Sequence, residues 1–231
     1  MPRNVIIIIN VFAAESIVVD LFDARLEYTQ GRLDEHTSAA DPMTQFHAWF
    51  EAYQQSEPHE VNTMTIASVD SHGQPWQRVV LLKAYDENGF IFFTNYQSNK
   101  GQHFAENPRA ALHFFWGEQE RQVQVQGLIS KISRAETATY FHSRPRDSQL
   151  GAWASQQSQP IADRETLEAN FAAVKARYES EDVVPVPDHW GGYRITPSRL
   201  EFWQGGAARL HDRVEYQQQE NGDWVKTRLN P

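Results

Sequence analysis

The feature that most constrains the fold is a succession of short β-rich runs between Asn62 and Ile132, separated by turn-forming residues. The first hairpin joins NTMTIASVD to WQRVVLLKAY through SHGQP, and DENG then leads to FIFFTN. A polar segment containing Asn107 and Pro108 precedes two further runs, RAALHFFW and RQVQVQGLISKI. Five or more runs at this spacing predict a barrel or a sandwich, so we expect a mainly β fold.

Three segments predict helices that pack around this sheet. The segment SRAETATYF opens with a capping box made by Ser133 and Glu136. The segment DRETLEANFAAVKARY repeats apolar residues along one helical face. The segment DPMTQFHAWFEAYQQ has a proline in its first turn and an apolar stripe of Phe46, Trp49, Phe50 and Tyr53. We therefore expect peripheral helices that serve packing and carry no chemistry.

Composition excludes several classes of function. The net charge of −9 over 231 residues argues against a general nucleic-acid binder, so an anionic ligand must be held by local clusters of cations. The absence of cysteine excludes disulfides, thiolate catalysis and cysteine metal sites, and it fits a reducing compartment. The sequence contains no dinucleotide, P-loop, nucleophile-elbow or HExxH motif, and its histidines show no metal spacing. We predict no metal site and a cytoplasmic protein.

The N-terminal stretch MPRNVIIIINVFAAES has an apolar run that is far too short to span a bilayer. It lacks a small-x-small cleavage pattern, and acidic residues follow closely, so a signal peptide is disfavoured. A buried strand, a disordered start or a misassigned start remains open. We expect residues 1–24 to be an atypical extension and residues 25–231 to form a single domain, with one linker-like piece at 179–192.

The stretch FHSRPRDSQLGAW concentrates positive charge in an otherwise acidic chain. A helix that starts at Ser133 puts Tyr140 and Arg144 on one face, and Pro145 should end it. Asp147 is a candidate N-cap for a second helix whose first turn contains Ser148. A helix N-terminus beside an arginine, a serine and a tyrosine indicates a phosphate site. The alternative is a surface helix–turn–helix with solvated arginines.

A second cationic cluster lies in RLHDR. If this segment is a strand, Arg209, His211 and Arg213 share one face. Three such groups repel one another unless an anion or an electron-rich ligand lies among them. The alternative is a solvated edge strand. The preceding EFWQGG is read as a turn with a core tryptophan, Trp203, whose paired glycines allow close backbone approach.

Two further strands carry polar residues that could meet a ligand. In QRVVLLK, a regular strand aims Arg78 and Lys83 at opposite faces, so either a bulge brings them together or they serve different groups. In RQVQVQG, Gln122 belongs to a row of glutamines opposite Val123 and Val125. Such a polar face either meets solvent or reads the edge of a heteroaromatic ring.

Eight motifs, in chain order, resemble the pyridoxamine 5′-phosphate oxidase family: QRVVLLK, FFTN, NPRAAL, RQVQVQG, YFHSRPRDSQLGAW, WGGYR, EFWQGG and RLHDR. The resemblance runs from about Arg25 to the C-terminal RLNP. It implies an FMN-binding split β-barrel that works as a homodimer, with two flavin sites at the subunit interface. It also implies oxidation of pyridoxamine or pyridoxine 5′-phosphate to pyridoxal 5′-phosphate, with oxygen reduced to hydrogen peroxide. The alternatives are another split-barrel flavoprotein, such as a flavin reductase, and a non-catalytic pyridoxal phosphate binder.

The resemblance also implies roles for individual residues. It assigns the flavin to Arg78, Val79, Val80, Leu81, Leu82, Lys83, Phe93, Thr94, Asn99, Lys100, Gln122, Gln157, Ser158, Trp203 and Arg213. It assigns the substrate phosphate to Lys83, Tyr140, Arg144 and Ser148. The catalytic pair over the pyridine ring would be Arg209 and His211, and the segment covering the substrate would contain Arg25 and Tyr28.

This chain departs from the family pattern at two of these places. Asn99 stands where the family usually has a basic residue before Lys100, which weakens or replaces one flavin phosphate contact. Leu26 occupies a position that is often basic in the N-terminal segment. His142 and Arg146 receive no role in ligand binding, and we expect them to be structural.

Overall fold

The computed structural model describes Leu21, Ala24 and residues 26–56 and 59–231. Within these ranges the strands are β1 (Thr63–Val69), β2 (Pro75–Leu81), β3 (Ala84–Asp86), β4 (Gly89–Asn95), β5 (Arg109–Trp116), β6 (Arg121–Lys131), β7 (Trp190–Gln204), β8 (Asp212–Gln218) and β9 (Trp224–Leu229). The helices are α1 (Pro42–Gln55), α2 (Asn99–Glu106), α3 (Arg134–Ser143), α4 (Arg146–Ala154) and α5 (Arg164–Arg177). None of the helices in these ranges has the length and apolar character needed to cross a membrane. The predicted extension at residues 1–24 lies mostly outside the described residues. The predicted site residue Arg25 lies outside them as well.

All strand pairs are antiparallel, in the order β2-β1-β5-β6-β7-β4-β3, and β8 and β9 continue from β7. The long strand β7 pairs with β6, β4 and β8 along its length. The sheet curls into an open barrel with the helices on its outside. The mainly β, split-barrel fold predicted from the sequence is therefore confirmed.

Alternation along the strands and the stripe on α1 build the main core. Val123 and Val125 on β6 are fully buried, as their alternation with glutamines predicts. Helix α1 begins where Asp41 Oδ2 accepts a hydrogen bond from Thr44 N at 2.7 Å. Phe46 on this helix has no exposed surface, and its ring lies 4.8 Å from that of Phe90. Helix α1 therefore closes one side of the barrel.

A second, smaller core joins α3, α4 and α5 to the segment before β7. Val184 in that segment is fully buried. Arg146 Nη2 donates to the carbonyl oxygens of Tyr178 and Glu181 at 2.6 and 2.7 Å, and His142 Nε2 lies 3.1 Å from the carbonyl oxygen of Val184. The linker-like piece at 179–192 is therefore packed against the helices and hydrogen-bonded to them. The structural interpretation of His142 and Arg146 is confirmed, because both side chains bond to its backbone.

Three local expectations are wrong. In RLHDR only Asp212 and Arg213 belong to a strand, because Ala208 and Arg209 adopt left-handed backbone angles (φ 53° and 64°) in a tight turn that breaks the alternation. The EFWQ segment is the end of β7, and Trp203 is paired with Arg213 in the sheet. The N-cap of α4 is Pro145, which leaves Asp147 inside the first turn.

Candidate active site

The main cavity of the described structure, of about 1010 Å³, opens between β2, the end of β4, α2 and the α3–α4 corner. Its volume is at the upper end of the range for small-molecule sites. Residues that the sequence assigned to flavin or substrate account for much of its wall: Arg78, Val79, Val80, Leu81, Lys83, Phe93, Thr94, Asn99, Lys100, Tyr140, Arg144, Ser148, Gln157 and Ser158. Parts of the chain far apart in sequence thus meet at one site.

The charge of this cavity is one-sided. Arg78, Lys83, Lys100 and Arg144 line it, and no Asp or Glu does among the residues the structure describes. Since the whole chain carries a net charge of −9, this excess of positive charge is a local property of the cavity wall. Four cations without a carboxylate repel one another, and an anionic ligand relieves that repulsion.

Lys100 sits at the start of α2 with only 8% of its surface exposed. Its Nζ donates to Thr94 Oγ1 and Ser98 Oγ at 3.2 Å and to Gln157 Oε1 at 3.1 Å, all of them neutral acceptors. Burial, together with the charge of Arg78, lowers the pKa of Lys100 to about 8. A buried ammonium held by neutral groups is suited to meet a phosphate.

Arg144 follows the last residue of α3, where Pro145 forces an extended backbone (ψ 150°). Its guanidinium lies over the Trp190 ring at 4.6 Å. Its Nη1 is buried and has no hydrogen-bond partner within the described structure, and burial lowers its pKa. An unpaired buried donor at a cavity wall marks a place for an acceptor such as a phosphate oxygen.

Two other residues that the sequence assigned to the substrate phosphate line the cavity together with this arginine. Tyr140, one turn before Arg144 on α3, stacks on Phe93 with ring centroids 3.9 Å apart. Ser148 lies in the first turn of α4 and lines the same cavity. Tyr140, Arg144 and Ser148 therefore share one wall, as the sequence predicted.

The strand β2 explains how Arg78 and Lys83 reach one cavity. Because β2 ends at Leu81, Lys83 is outside the strict alternation that would aim it away from Arg78. Leu82 between them turns inward instead, with 4% exposure, and packs in the barrel core. Of the run from Arg78 to Lys83, Leu82 is thus the residue whose side chain does not line the cavity.

A second cluster, which does not line this cavity, consists of Tyr28, Gln122, Trp203, His211 and Arg213, with Arg209 beside it. The Trp203 and His211 rings lie 4.7 Å apart, and the Tyr28 ring is 5.7 Å from Trp203. Gly206 N donates to His211 Nδ1 at 3.1 Å, so the other ring nitrogen carries the proton of neutral His211. Burial and the charge of Arg209 lower the pKa of His211.

Contacts in the second cluster fix its parts in place. A Cβ on Gly205 would lie 2.7 Å from Tyr28 Cγ, so the close approach expected of the paired glycines is confirmed. Glu120 accepts hydrogen bonds from Thr29 N and Gln30 N at 2.7 and 2.9 Å, which holds the chain just after Tyr28 in place. Arg213 Nε donates to Glu201 Oε1 at 2.8 Å. Burial alone would raise the pKa of Glu201, but hydrogen bonds from Arg213 and Arg199 lower it.

Sequence reasoning missed several residues of the main cavity. Trp190 forms part of its wall and stacks on Phe93 with centroids 5.4 Å apart. The WGGYR motif indicated this region but assigned no role to its residues. In the same motif, a Cβ on Gly191 would lie 2.1 Å from Tyr96 Oη. Gly151, inside α4, also lines the cavity and has open space where a Cβ would be. A glycine within a predicted helix was the available signal.

An open antiparallel barrel whose cavity has a cationic wall, aromatic rings and no carboxylate among the described residues is the kind of site that suits an anionic, ring-containing ligand. The chain belongs to the pyridoxamine 5′-phosphate oxidase family: the family model of that description matches residues 50–178. A model described as the pyridoxine 5′-phosphate oxidase C-terminal dimerisation region matches residues 190–231.

Relatives and solved structures agree with this assignment. A pyridoxine/pyridoxamine 5′-phosphate oxidase of Ralstonia pickettii is 52% identical over 93% of this chain and 100% of its own length. The Bordetella avium protein of the same name is 51% identical over 90% of this chain and 98% of its own. The crystal structure of PhzG from Burkholderia lata, in complex with tetrahydrophenazine-1-carboxylic acid, has a TM-score of 0.80 at 28% identity, covering 85% of this chain and 96% of that one. An FMN-binding protein of Nostoc punctiforme shares the fold, with a TM-score of 0.66 at 14% identity over 82% of this chain and 97% of that one.

Proposed function

We propose that this chain is an FMN-dependent oxidase that converts pyridoxamine or pyridoxine 5′-phosphate to pyridoxal 5′-phosphate, with oxygen reduced to hydrogen peroxide. The names of relatives that are about half identical over nearly the whole chain support this function. The observation that carries it is the acid-free cavity with four cations, because both FMN and the substrate are phosphorylated rings. FMN, held by the residues of this cavity, would supply the acceptor for a hydride from the C4′ carbon of the substrate, and oxygen would be the final acceptor of the two electrons.

The residues at the α2 end of the cavity fit the phosphate of FMN. Lys100 there is a buried cation whose partners are all neutral, and Arg78 carries a second charge nearby. Asn99 can donate from its side-chain amide in place of the expected basic residue. We assign Thr94, Gln157 and these three residues to FMN binding.

The residues at the α3–α4 corner fit the phosphate of the substrate. Arg144 has an unpaired buried Nη1, and Lys83, Tyr140 and Ser148 lie on the same cavity. An anchor at the phosphate holds a substrate by a group remote from the reacting carbon, so binding energy there can align the ring for reaction.

We propose that a second copy of the chain completes the site. The Tyr28, Trp203 and His211 cluster lies apart from the main cavity, and Trp203, Arg209, His211 and Arg213 all fall in the dimerisation region at 190–231. Large exposed apolar side chains, including Val79 at 63% and Leu210 at 73%, offer surface for such a contact. In the homodimer, neutral His211 would donate from Nε2 to the substrate amine or hydroxyl, and Arg209 would orient the ring.

The remaining assignments are proposals on the same basis. Arg25 would join Tyr28 in the segment that covers the substrate, and Gln122 would face the flavin ring beside Trp203. Residues 25–231 would form one domain in a cytoplasmic enzyme.

The direct test is to purify the protein, record flavin absorbance, add pyridoxine 5′-phosphate under air, and follow aldehyde and peroxide. Unphosphorylated pyridoxine serves as the control, because the cationic cavity should favour the phosphate ester. A colourless protein that cannot be loaded with FMN would refute the flavoenzyme assignment. A yellow protein that is inert to this substrate but oxidises a nicotinamide cofactor would favour the reductase. Binding of pyridoxal phosphate without turnover would favour the non-catalytic binder.

A second candidate follows from the likeness to PhzG. A related enzyme of that branch would act on a ring that carries a carboxylate in place of a phosphate ester. The same assay with a tetrahydrophenazine carboxylate separates the two, since turnover of that compound alone would favour this branch.

A further inference from the structure

A buried histidine outside the proposed ligand contacts connects to the cavity through one hydroxyl group. His103 on α2 is 8% exposed and is absent from the cavity wall. Its Nδ1 lies 3.0 Å from Ser68 Oγ. Arg78 Nη1 donates to the same Ser68 Oγ at 2.7 Å. The three residues form a chain from α2, through β1, to the guanidinium that lines the cavity.

Ser68 occupies a position that the strand pattern would give to an apolar residue. The inward face of β1 places Met64, Ile66 and Ser68 in succession, and Ser68 is 1% exposed. Burying a hydroxyl is unfavourable unless it is hydrogen-bonded. Both of its bonds run to His103 and Arg78, so the hydroxyl is satisfied only while these two partners stay in place.

Donor and acceptor chemistry gives this chain a direction. Arg78 can only donate, so Ser68 Oγ accepts from it. The buried serine hydroxyl hydrogen then has His103 Nδ1 as its acceptor when the histidine carries its proton on Nε2. In that tautomer His103 fixes the rotation of the Ser68 hydroxyl, whose lone pairs then point toward Arg78.

Helix α2 therefore acts on both cations of the proposed FMN phosphate site: it carries Lys100, and its His103 contacts Arg78 through Ser68. Lys100 and His103 are three residues apart and both buried, so they share the face of α2 that meets the barrel. Lys100 lines the cavity directly, whereas His103 contacts Arg78 only through Ser68. The alternative role for His103 is plain packing, because its ring also lies 5.6 Å from that of Trp76.

We propose that His103, acting through Ser68, is a positioning residue that holds the Arg78 guanidinium in the orientation that binds FMN. This inference rests on the proposed flavin function. Loss of the relay leaves Arg78 present and charged, but its Nη1 keeps only the longer hydrogen bond to the Ile66 carbonyl oxygen at 3.5 Å, so FMN binding weakens without being abolished.

The test measures the FMN dissociation constant of flavin-free protein by quenching of flavin fluorescence. Ser68→Ala and His103→Leu should each raise the constant by about 3- to 10-fold, because the effect on FMN is indirect and of about the size of one ordinary hydrogen bond. His103→Asn, whose side-chain oxygen can accept in place of Nδ1, should recover most of the affinity. His47→Leu is the matched control, because His47 also bonds a hydroxyl, that of Tyr85, at 2.8 Å but lies outside the cavity wall.

A double-mutant cycle separates positioning from packing. In an Arg78→Ala background, Ser68→Ala and His103→Leu should cause no further loss of FMN affinity, because the residue they position is gone. Equal losses with and without Arg78 would overturn the inference, as would wild-type affinity in Ser68→Ala. If His103→Leu does not fold, Ser68→Ala alone decides. Wild-type protein that binds no FMN would refute the proposed function instead, so the two failures are distinguishable.

Discussion

Replacing Lys100 by methionine should stabilise the flavin-free protein and weaken its binding of FMN. Burial lowers the pKa of Lys100 from its ordinary 10.5 to about 8, so the folded protein near neutral pH holds an ammonium that it disfavours. Each unit of pKa corresponds to about 1.4 kcal/mol, which puts this penalty at about 3 kcal/mol. Methionine removes the charge but leaves the Thr94, Ser98 and Gln157 oxygens without that donor. A net gain of about 1–2 kcal/mol in the free energy of unfolding follows.

The two pKa values of Lys100 determine how the stability of the wild-type protein changes with pH. The unfolded chain keeps the Lys100 proton up to its ordinary pKa of 10.5, whereas the folded chain releases it near 8. Between these values the unfolded state binds more protons, so wild-type stability rises with pH. The penalty is fully present below pH 8 and is relieved as the pH approaches 10.5. The advantage of Lys100→Met should therefore shrink over that interval.

The assay is urea unfolding of flavin-free wild type and variant from pH 7 to 10, followed by FMN titration. Loss of a charge-assisted hydrogen bond should raise the FMN dissociation constant by about 10- to 100-fold. Lys175→Met, an exposed substitution on α5, is the control and should change neither quantity. A less stable Lys100→Met protein at pH 7, or a stability difference that does not change with pH, would refute the reasoning.

Three further substitutions probe the rest of the site. Arg144→Leu removes the unpaired donor and should raise KM for pyridoxine 5′-phosphate by about 10- to 100-fold in steady-state assays, with FMN affinity unchanged. Arg209→Leu should impair turnover while absorbance shows that FMN stays bound, and loss of flavin would contradict its assignment to the substrate. Gly151→Ala should raise the unfolding free energy of the flavin-free protein by about 1 kcal/mol, because glycine is a poor helix former, yet weaken ligand binding, because the new methyl group enters the cavity. An alanine variant that is more stable and binds both ligands normally would show that this space is not used.

The predictions that succeeded depended on local patterns. Short β-rich runs bounded by turn residues identified β1, β2, β4, β5 and β6, and the proline before α4 marked the end of α3. The long strand β7 was not predicted because it begins with Trp190, Gly191 and Gly192 and contains Pro197, so its sequence shows no clean alternation of apolar and polar residues. Helix α2 was read as a polar segment, since its buried face consists of Lys100, Gly101, His103 and Phe104, which is not an apolar stripe.

The chain alone determined the kinds of residue available to a ligand and the short elements that carry them, because period and capping depend on near neighbours in sequence. Only the tertiary structure decided which of these residues share a cavity. It placed Lys83 on the same cavity as Arg78 by ending β2 at Leu81, turned Leu82 into the core, and separated the Tyr28, Trp203 and His211 cluster from the cavity. Such choices depend on contacts between distant segments, such as the approach of Tyr28 to Gly205, which no local pattern of residues encodes.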